Sequence, residues 1–264
     1  MPEKNLAKSA SRALDLLVFF ADRREAARAV DIAEALDLPR SSADQLLKTL
    51  VRTGYLTFQS GPKTYFPSPT LALFGEWIAQ TYSRRAEFSA IMADVHDATG
   101  EAVTLTMQND CFMQIVDCLG VTADIPPIGR GQRVPMVGSA LGGAVLAAKS
   151  DREVNKVIAR ARRVRAAVVG PRDFDAFPEM VLSYRRAGYA WSRRAVGNSA
   201  SLGTGDDLYS LAVPLPQAAS MASMALGLAA PARRIIDHER EIAAQMKACI
   251  RRRLPDVPQP SAAG

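Results

Sequence analysis

Residues 29 to 56 constrain the fold more than any other stretch of the chain. Ile32, Ala33 and Leu36 put one apolar stripe on a short helix. Asp37-Leu38 supplies a turn, and Pro39 suits the first turn of a following helix, where a missing backbone N–H costs little. Leu46, Leu47, Leu50 and Val51 then recur at helical spacing and are expected to face inward. That leaves Arg40, Ser41, Asp44, Gln45 and Lys48 outward, clustered toward the N-terminal half of the second helix. Two helices joined this way form a helix-turn-helix, and the polar half is the part such a helix inserts into a DNA major groove.

The flanks extend this unit. Ser9 to Phe20 carries Ala10, Ala13, Leu14, Leu17, Val18 and Phe20 as an amphipathic helix. Tyr55–Phe58 and Thr64–Phe66 are strand-like, and Gln59-Ser60-Gly61-Pro62-Lys63 between them has turn chemistry. Three helices and a hairpin make a winged helix-turn-helix, with Lys63 at the tip of the wing and Pro67 and Pro69 closing the unit. Thr70 to Arg85 reads as one helix with Leu71, Phe74, Ile78 and Tyr82 on one stripe and Leu73 and Trp77 beside it. Two readings stay open for it: a helix packed within its own chain, or one that joins two domains and pairs with a second subunit.

Beyond residue 87 the pattern alternates. Helices are expected at Glu87–Thr99, Ser139–Ala148, Arg152–Arg162 and Phe174–Ala187 (the last interrupted early by Pro178), and from Pro231 to Arg253. Strands are expected at Ala102–Met107, Cys111–Cys118, Tyr189–Trp191, Leu208–Pro214 and Met221–Ala229. Mixed order without a glycine-rich nucleotide fingerprint points to an antiparallel-sheet ligand-binding domain. The Pro-rich stretch 254–264 reads as a disordered tail.

Composition narrows the function classes. The 264 residues are 48% hydrophobic and 23% charged, which suits one large or two ordinary globular domains. The net charge of +6 favours a polyanionic partner, yet residues 1–68 hold ten Lys and Arg against eight Asp and Glu, only +2. Cys111, Cys118 and Cys249 are too sparse for a disulfide framework, so a reducing compartment is the default. Leu16–Ala21 is too short for a signal segment, and Val137–Ala148 falls well short of the roughly 20 residues of a membrane span. A cytoplasmic protein without a membrane partner is expected.

No metal or cofactor is expected either. Cys111 and Cys118 have no histidine near them, and His96 and His238 sit on separate helices. The run Arg160 to Arg165 reads as solvated surface. Gly138-Ser139-Ala140 lacks a Gly-x-Ser-x-Gly elbow, and Asp206-Asp207 has no histidine partner, so an enzyme acting on a small molecule is disfavoured.

At this point the chain resembles the IclR family of bacterial transcriptional regulators over nearly its whole length. The match rests on Ser11-Arg12-Ala13-Leu14-Asp15-Leu16-Leu17, on Leu38-Pro39-Arg40-Ser41-Ser42, and on residues 46–56 from Leu46 to Leu56. In the second half it rests on residues 135–147 from Pro135 to Ala147, on Ala187-Gly188-Tyr189-Ala190-Trp191-Ser192, and on Ser210-Leu211-Ala212-Val213-Pro214-Leu215. The resemblance implies an α+β chain. It would comprise an N-terminal winged helix-turn-helix (1–68), a linker helix (69–86) and a C-terminal GAF-like α/β effector-binding domain (87–253). It further implies dimers that pair into tetramers on double-stranded operator DNA, regulation of catabolic genes by a small-molecule effector, and room for a contact with RNA polymerase. A constitutive DNA-binding regulator without a working effector pocket is the alternative.

Residue by residue, the resemblance implies DNA contacts from Arg12, Arg40, Ser41, Ser42, Gln45, Lys48, Thr49 and Arg52, with Lys63 and Tyr65 from the wing. It implies an effector pocket formed by Met107, Cys118, Ile128, Met136, Gly138, Ser139, Ala140, Leu141, Trp191, Ser210, Gly227 and Ala229. The chain departs from the family at Gly143, where a basic residue is usual, and at Arg193-Arg194, where an acidic cluster is common. It has Ser210 in place of a cysteine, and Gly227 and Ala229 in place of two serines, relative to members that bind small acids. Fewer hydroxyl donors imply a larger or less polar ligand, such as an aromatic acid or a hydrazide-like compound.

Overall fold

The computed structural model describes residues 7–81, 84–121, 129–167, 173–193, 208–216 and 222–255. The chain divides into two units, Met1–Thr81 and Tyr82–Gly264.

The first unit contains α1 (Lys8–Arg23), β1 (Ala27–Arg28), α2 (Ala29–Ala35), α3 (Arg40–Arg52), β2 (Leu56–Gln59), β3 (Thr64–Pro67) and α4 (Pro69–Thr81). Leu16, Phe20, Ile32, Leu47 and Leu56 form its buried core, with Leu46, Leu50 and Val51 packed against it. The inward stripe expected for α3 is therefore the one observed. Between α2 and α3 the chain reverses at Asp37, which is left-handed (φ 48°). The Leu38 amide bonds back to the Ala33 carbonyl at 2.8 Å and the Asp37 amide to Glu34 at 3.2 Å, the paired bonds that close a helix C-terminus. Pro39 stands one residue before α3 rather than inside it, and its carbonyl accepts the Ala43 amide.

Two expectations about this unit need correction. Leu14 and Val18, counted with the apolar residues of α1, are 63% and 59% exposed; Phe20 of that set is buried as expected, and Leu16, outside the set, fills the core with it. The helix expected over 70–85 ends at Thr81, and a new helix starts at Arg85. The structure also adds β1, two residues that pair with Tyr65 and Thr64 of β3 and are too short to leave a sequence pattern.

The second unit contains α5 (Arg85–Thr99), β4 (Ala102–Asn109), β5 (Phe112–Leu119), β6 (Arg133–Pro135), α6 (Ala140–Ala147) and α7 (Asp151–Val164). It continues with α8 (Asp173–Ala187), β7 (Ala190–Ser192), β8 (Leu208–Pro214), β9 (Met224–Pro231), α9 (Ala232–Ile235) and α10 (Glu239–Arg253). The sheet order is β6-β5-β4-β9-β8-β7, and every neighbouring pair is antiparallel. Period-two alternation separates the two faces. Ala102, Ala212 and Ala225 pack with α6, α7 and α8. Val103, Leu105, Leu211, Leu226 and Leu228 pack with α5 and α10.

Local chemistry explains the boundaries. Ser150 and Glu153 cap α7 reciprocally, so it starts at Asp151. Helix α8 runs through Pro178, its sixth residue, with the buried Phe174 and Phe177 packing its first turns into the core. The single helix expected from Pro231 is instead α9, a 3-10 turn at Ile236–His238, and α10. Strand β9 begins at Met224, and β6 was not expected. Leu254, assigned to a disordered tail, is fully buried, while residues 256–264 lie outside the described residues. Among the described residues, no helix is long and apolar enough to cross a membrane.

Asp94 ties α5 to the end of α10. Its carboxylate accepts from Arg252 Nη2 and from Arg253 Nε and Nη2, each at 2.8 Å. These hydrogen bonds hold the carboxyl well below the ordinary carboxylate range. A depressed folded-state pKa stabilises above the unfolded value of about 3.9 and loses that contribution as pH falls below it. Asp94→Asn should therefore cost roughly 1 kcal/mol in denaturant unfolding near neutral pH, modest because the arginines are solvated. The gap from the parent should begin to close as pH falls below about 4 and go on closing toward the lower folded-state value; a gap independent of pH would contradict the pairing.

Candidate functional site

The exposed side of α3 gathers the polar residues singled out above. Ser41, Gln45, Lys48, Thr49 and Arg52 line one shallow groove together with Asp44, and Arg40 stands exposed at the helix start. Thr49 donates its hydroxyl to the Gln45 carbonyl at 2.8 Å. Ser42 is half-buried on the flank of this face, and Arg12 is half-buried on α1.

In the wing, Lys63 is exposed and left-handed (φ 55°) at the end of the turn joining β2 and β3. A non-glycine residue held there stores roughly 1 kcal/mol of backbone strain or more. Tyr65 is half-buried, with its ring 4.8 Å from that of Phe58. Its hydroxyl titrates above the ordinary range, first because of burial and then because of the Asp44 charge. Tyr65 thus sits close enough to feel the α3 carboxylate, and it serves the core as well as the surface.

In the second unit a band of small side chains crosses the α6 face of the sheet. Cys118 pairs with Thr104, Thr104 with Gly227, and Gly227 with Ala212. One row away, Ala102 pairs with Ala229, Ala229 with Ser210, and Ser210 with Ser192. Leu141, in the first turn of α6, drops onto this band: a Cβ on Gly227 would lie 2.4 Å from Leu141 Cδ2. A cavity of about 10 Å³ remains between Thr104, Ile115, Leu141, Ser210, Gly227 and Ala229. The Ser210 hydroxyl is buried there and has no hydrogen-bond partner among the described residues.

The other assigned pocket residues divide. Ser139 is spent on structure, donating to the Pro135 carbonyl at 2.7 Å and accepting from the Gly142 amide at 3.1 Å. Gly138 is left-handed (φ 85°) just before that cap. Met136 and Ala140 are fully buried. Gly143 has no room for the basic side chain usual there, because a Cβ would lie 2.6 Å from the Tyr184 ring.

One assignment falls on the opposite face. Met107 packs with the cluster between the sheet, α5 and α10, because strand alternation turns it opposite to Thr104 and Thr106. Trp191 pairs in register with Leu211 and packs against both clusters, its ring meeting that of Tyr184. Ile128 lies outside the described residues, as do Asp206 and Asp207. Sequence reading missed Thr104 and Ile115. The available signal for Thr104 was the alternation of Ala102, Thr104 and Thr106 with Val103, Leu105 and Met107.

The remaining candidates stay structural. Cys111 is buried, and burial raises its thiol pKa; burial does the same to Cys249. Arg160 pairs with Asp110 and Arg162 with Asp175 on the solvated side of α7.

Comparison with known proteins agrees with this architecture. The IclR helix-turn-helix domain matches residues 9–60, and the bacterial transcriptional regulator IclR C-terminal domain matches residues 80–252. The transcriptional repressor IclR of Escherichia coli K12 is 27% identical over 165 residues, 60% of this chain and 59% of that protein. The Pca regulon regulatory protein of Pseudomonas putida is 25% identical over 158 residues, 58% of this chain and 53% of that protein. The chain thus spans between half and three-fifths of the length of these relatives.

Among solved structures, Thermotoga maritima IclR aligns with TM-score 0.63 at 18% identity, covering 95% of this chain and 99% of that one. An IclR homolog from Microbacterium hydrocarbonoxydans, complexed with 4-hydroxybenzoate, aligns with TM-score 0.65 at 19% identity, covering 94% and 99%. At these identities the likeness is one of fold. With one domain matched to the winged unit and the other to the sheet-containing unit, the chain belongs to the IclR family of bacterial transcriptional regulators, which are DNA-binding proteins and not enzymes.

Proposed function

We propose that the chain is a one-component, ligand-responsive regulator of catabolic genes, binding operator DNA as a dimer or tetramer, with a small aromatic acid as its effector. The observation that carries the ligand half is the buried Ser210 hydroxyl beneath Leu141, facing a floor of Thr104, Gly227 and Ala229. An unsatisfied buried hydroxyl costs about 1–3 kcal/mol, which a ligand acceptor would recover. The first amides of α6, at Ala140 and Leu141, have no partner within the helix and suit a carboxylate. Rotation of Leu141 off Gly227 would open space for a flat ring. The 4-hydroxybenzoate bound by the Microbacterium homolog is a ligand of this class. The GAF-like reading of the sheet-containing unit belongs to the same proposal.

The DNA half rests on the shared outward face of Arg40, Ser41, Gln45, Lys48 and Arg52, and on Lys63 at the wing tip. Assembly is supported by apolar side chains that the isolated chain leaves in water: Leu14 and Val18 on α1, and Leu73 and Phe74 on α4. A ligand that prefers one arrangement of the assembly by about 1–3 kcal/mol would change operator affinity roughly 5- to 150-fold. The small cavity favours the second reading, a constitutive regulator, and ligand titration separates the two.

Footprinting on the DNA flanking its own gene, with and without aromatic acids, should give a discrete protected site that one compound strengthens or abolishes. A site unmoved by every compound would favour the constitutive reading. Arg40→Ala or Lys48→Ala should cost roughly 1–3 kcal/mol if the side chain reads a base, relaxing one operator position. Lys63→Gly should hold or raise stability by up to about 1 kcal/mol while flattening the salt dependence of DNA binding by about one ion. Unchanged affinity and slope would remove the wing from the phosphates.

In the pocket, Leu141→Ala should lower stability by roughly 2–4 kcal/mol and bind the effector more tightly, since no plug need move. Ser210→Ala should weaken binding by about threefold to tenfold. Calorimetric titration checks both; equal affinities across parent and variants would put the effector elsewhere.

A further inference from the structure

A second cleft lies at the end of the sheet where α6, α8 and α10 converge, and the regulator described above makes no use of it. Strand β7 begins at Ala190, opposite Ala212, so Val213 and Pro214 at the end of β8 extend past their edge neighbour. The cleft beside them has a volume of about 290 Å³, near the lower end for small-molecule sites. Its walls are apolar, from Ala144 and Ala147 of α6, Tyr184 of α8, and Val213 and Ile250. Its rim is cationic, from Arg186, Lys247 and Arg251, and among the described residues no Asp or Glu lines it. Arg185 also borders the cleft but is committed, bonding to the carbonyls of Ala147 and Lys149 and to the Asp151 carboxylate.

Lys247 is the distinctive group. Its ammonium donates to the Ala187 carbonyl at 3.2 Å and lies 5.4 Å from the centre of the Tyr189 ring. Gly188 makes room for it: the residue is left-handed (φ 72°), and a Cβ there would come within 2.7 Å of Nζ. Capping the end of α8 accounts for one of its three donors. It does not account for Arg251 close enough to depress the Lys247 pKa alongside burial. Among the described residues neither cation has a carboxylate within ion-pair distance. Two adjacent cations, one partly buried, cost free energy that a bound anion offsets.

We propose that this cleft is a second small-molecule site, taking an organic monoanion whose carboxylate sits between Lys247 and Arg251 and whose hydrocarbon lies on Ala144, Ala147 and Ile250. It shares no lining residue with the pocket under Leu141. Helix α6 reaches both, with its first turn at the pocket and its last turn at the cleft.

The test is a benzoate titration of the full chain carrying methyl-labelled alanine and isoleucine. The methyl signals of Ala147 and Ile250 report the cleft, and those of Ile115 and Ala229 report the pocket. Benzoate should shift Ala147 and Ile250 saturably, and uncharged benzyl alcohol should do so at least about tenfold more weakly. Lys247→Met, which keeps the stem, should weaken the cleft response about tenfold or more and leave Ile115 and Ala229 as in the parent. Arg251→Met, at an exposed position, should weaken it in the same direction and serves if Lys247→Met fails to fold. Ala147 and Ile250 unmoved by millimolar benzoate, or moving alike in parent and Arg251→Met, would overturn the assignment. So would inorganic phosphate competing as well as benzoate, since phosphate offers no hydrocarbon. Failure of the effector reading would appear separately, as silence at Ile115 and Ala229.

Discussion

The seating of α6 is set by positions where one added methyl group would collide. A Cβ on Gly142 would lie 2.1 Å from the Met136 carbonyl oxygen, and one on Gly143 would lie 2.6 Å from the Tyr184 ring. Because neither exists, α6 seats tightly against the Met136 backbone and the Tyr184 ring, with all but its last residue buried. Close packing transmits small displacements, since a dense interior cannot absorb them locally. The same closeness sets the size of the pocket beneath Leu141: a floor of glycine, alanine, serine and threonine leaves space, and one leucine fills it. In the proposed effector site, ligand capacity would be stored as a movable side chain over a floor without bulk.

The winged unit works by local arrangement more than by total charge. Its Lys and Arg outnumber its acids only slightly, yet Arg40, Lys48 and Arg52 share the face of one helix, interrupted by Asp44. A carboxylate near phosphates opposes binding, so its neighbours must offset it or it must itself orient a contact. Lys63 completes the pattern at the wing turn, holding a left-handed backbone that glycine would hold more easily. In the proposed DNA-bound state a phosphate contact from Lys63 would offset that strain.

Legibility in the sequence follows the range of the interactions involved. The helix-turn-helix was readable because Ile32, Leu36, Leu47 and Leu50 report their own burial through a 3.6-residue period. Capping and turn chemistry is equally local, as at Ser150-Asp151-Arg152-Glu153. The α1 stripe misled because its outer face is also apolar, so hydrophobicity alone could not choose between Leu14 and Leu16. Met107 was misplaced for a different reason. Resemblance assigned it to the pocket, whereas the alternation along β4 turns it to the face opposite Thr104 and Thr106. The cleft beside Lys247 was invisible because it joins residues from α6, α8 and α10 with no shared motif.

The central claim is that Leu141 is the movable plug of an effector pocket, and the Leu141 methyl resonances test it most directly. On titration of the full chain with 4-hydroxybenzoate, both methyls should move to a new rotameric environment in step with saturation of the protein. The neighbouring Ala229 methyl should move with them. Binding established by calorimetry with the Leu141 and Ala229 resonances unmoved would contradict the account and place the ligand elsewhere in the fold.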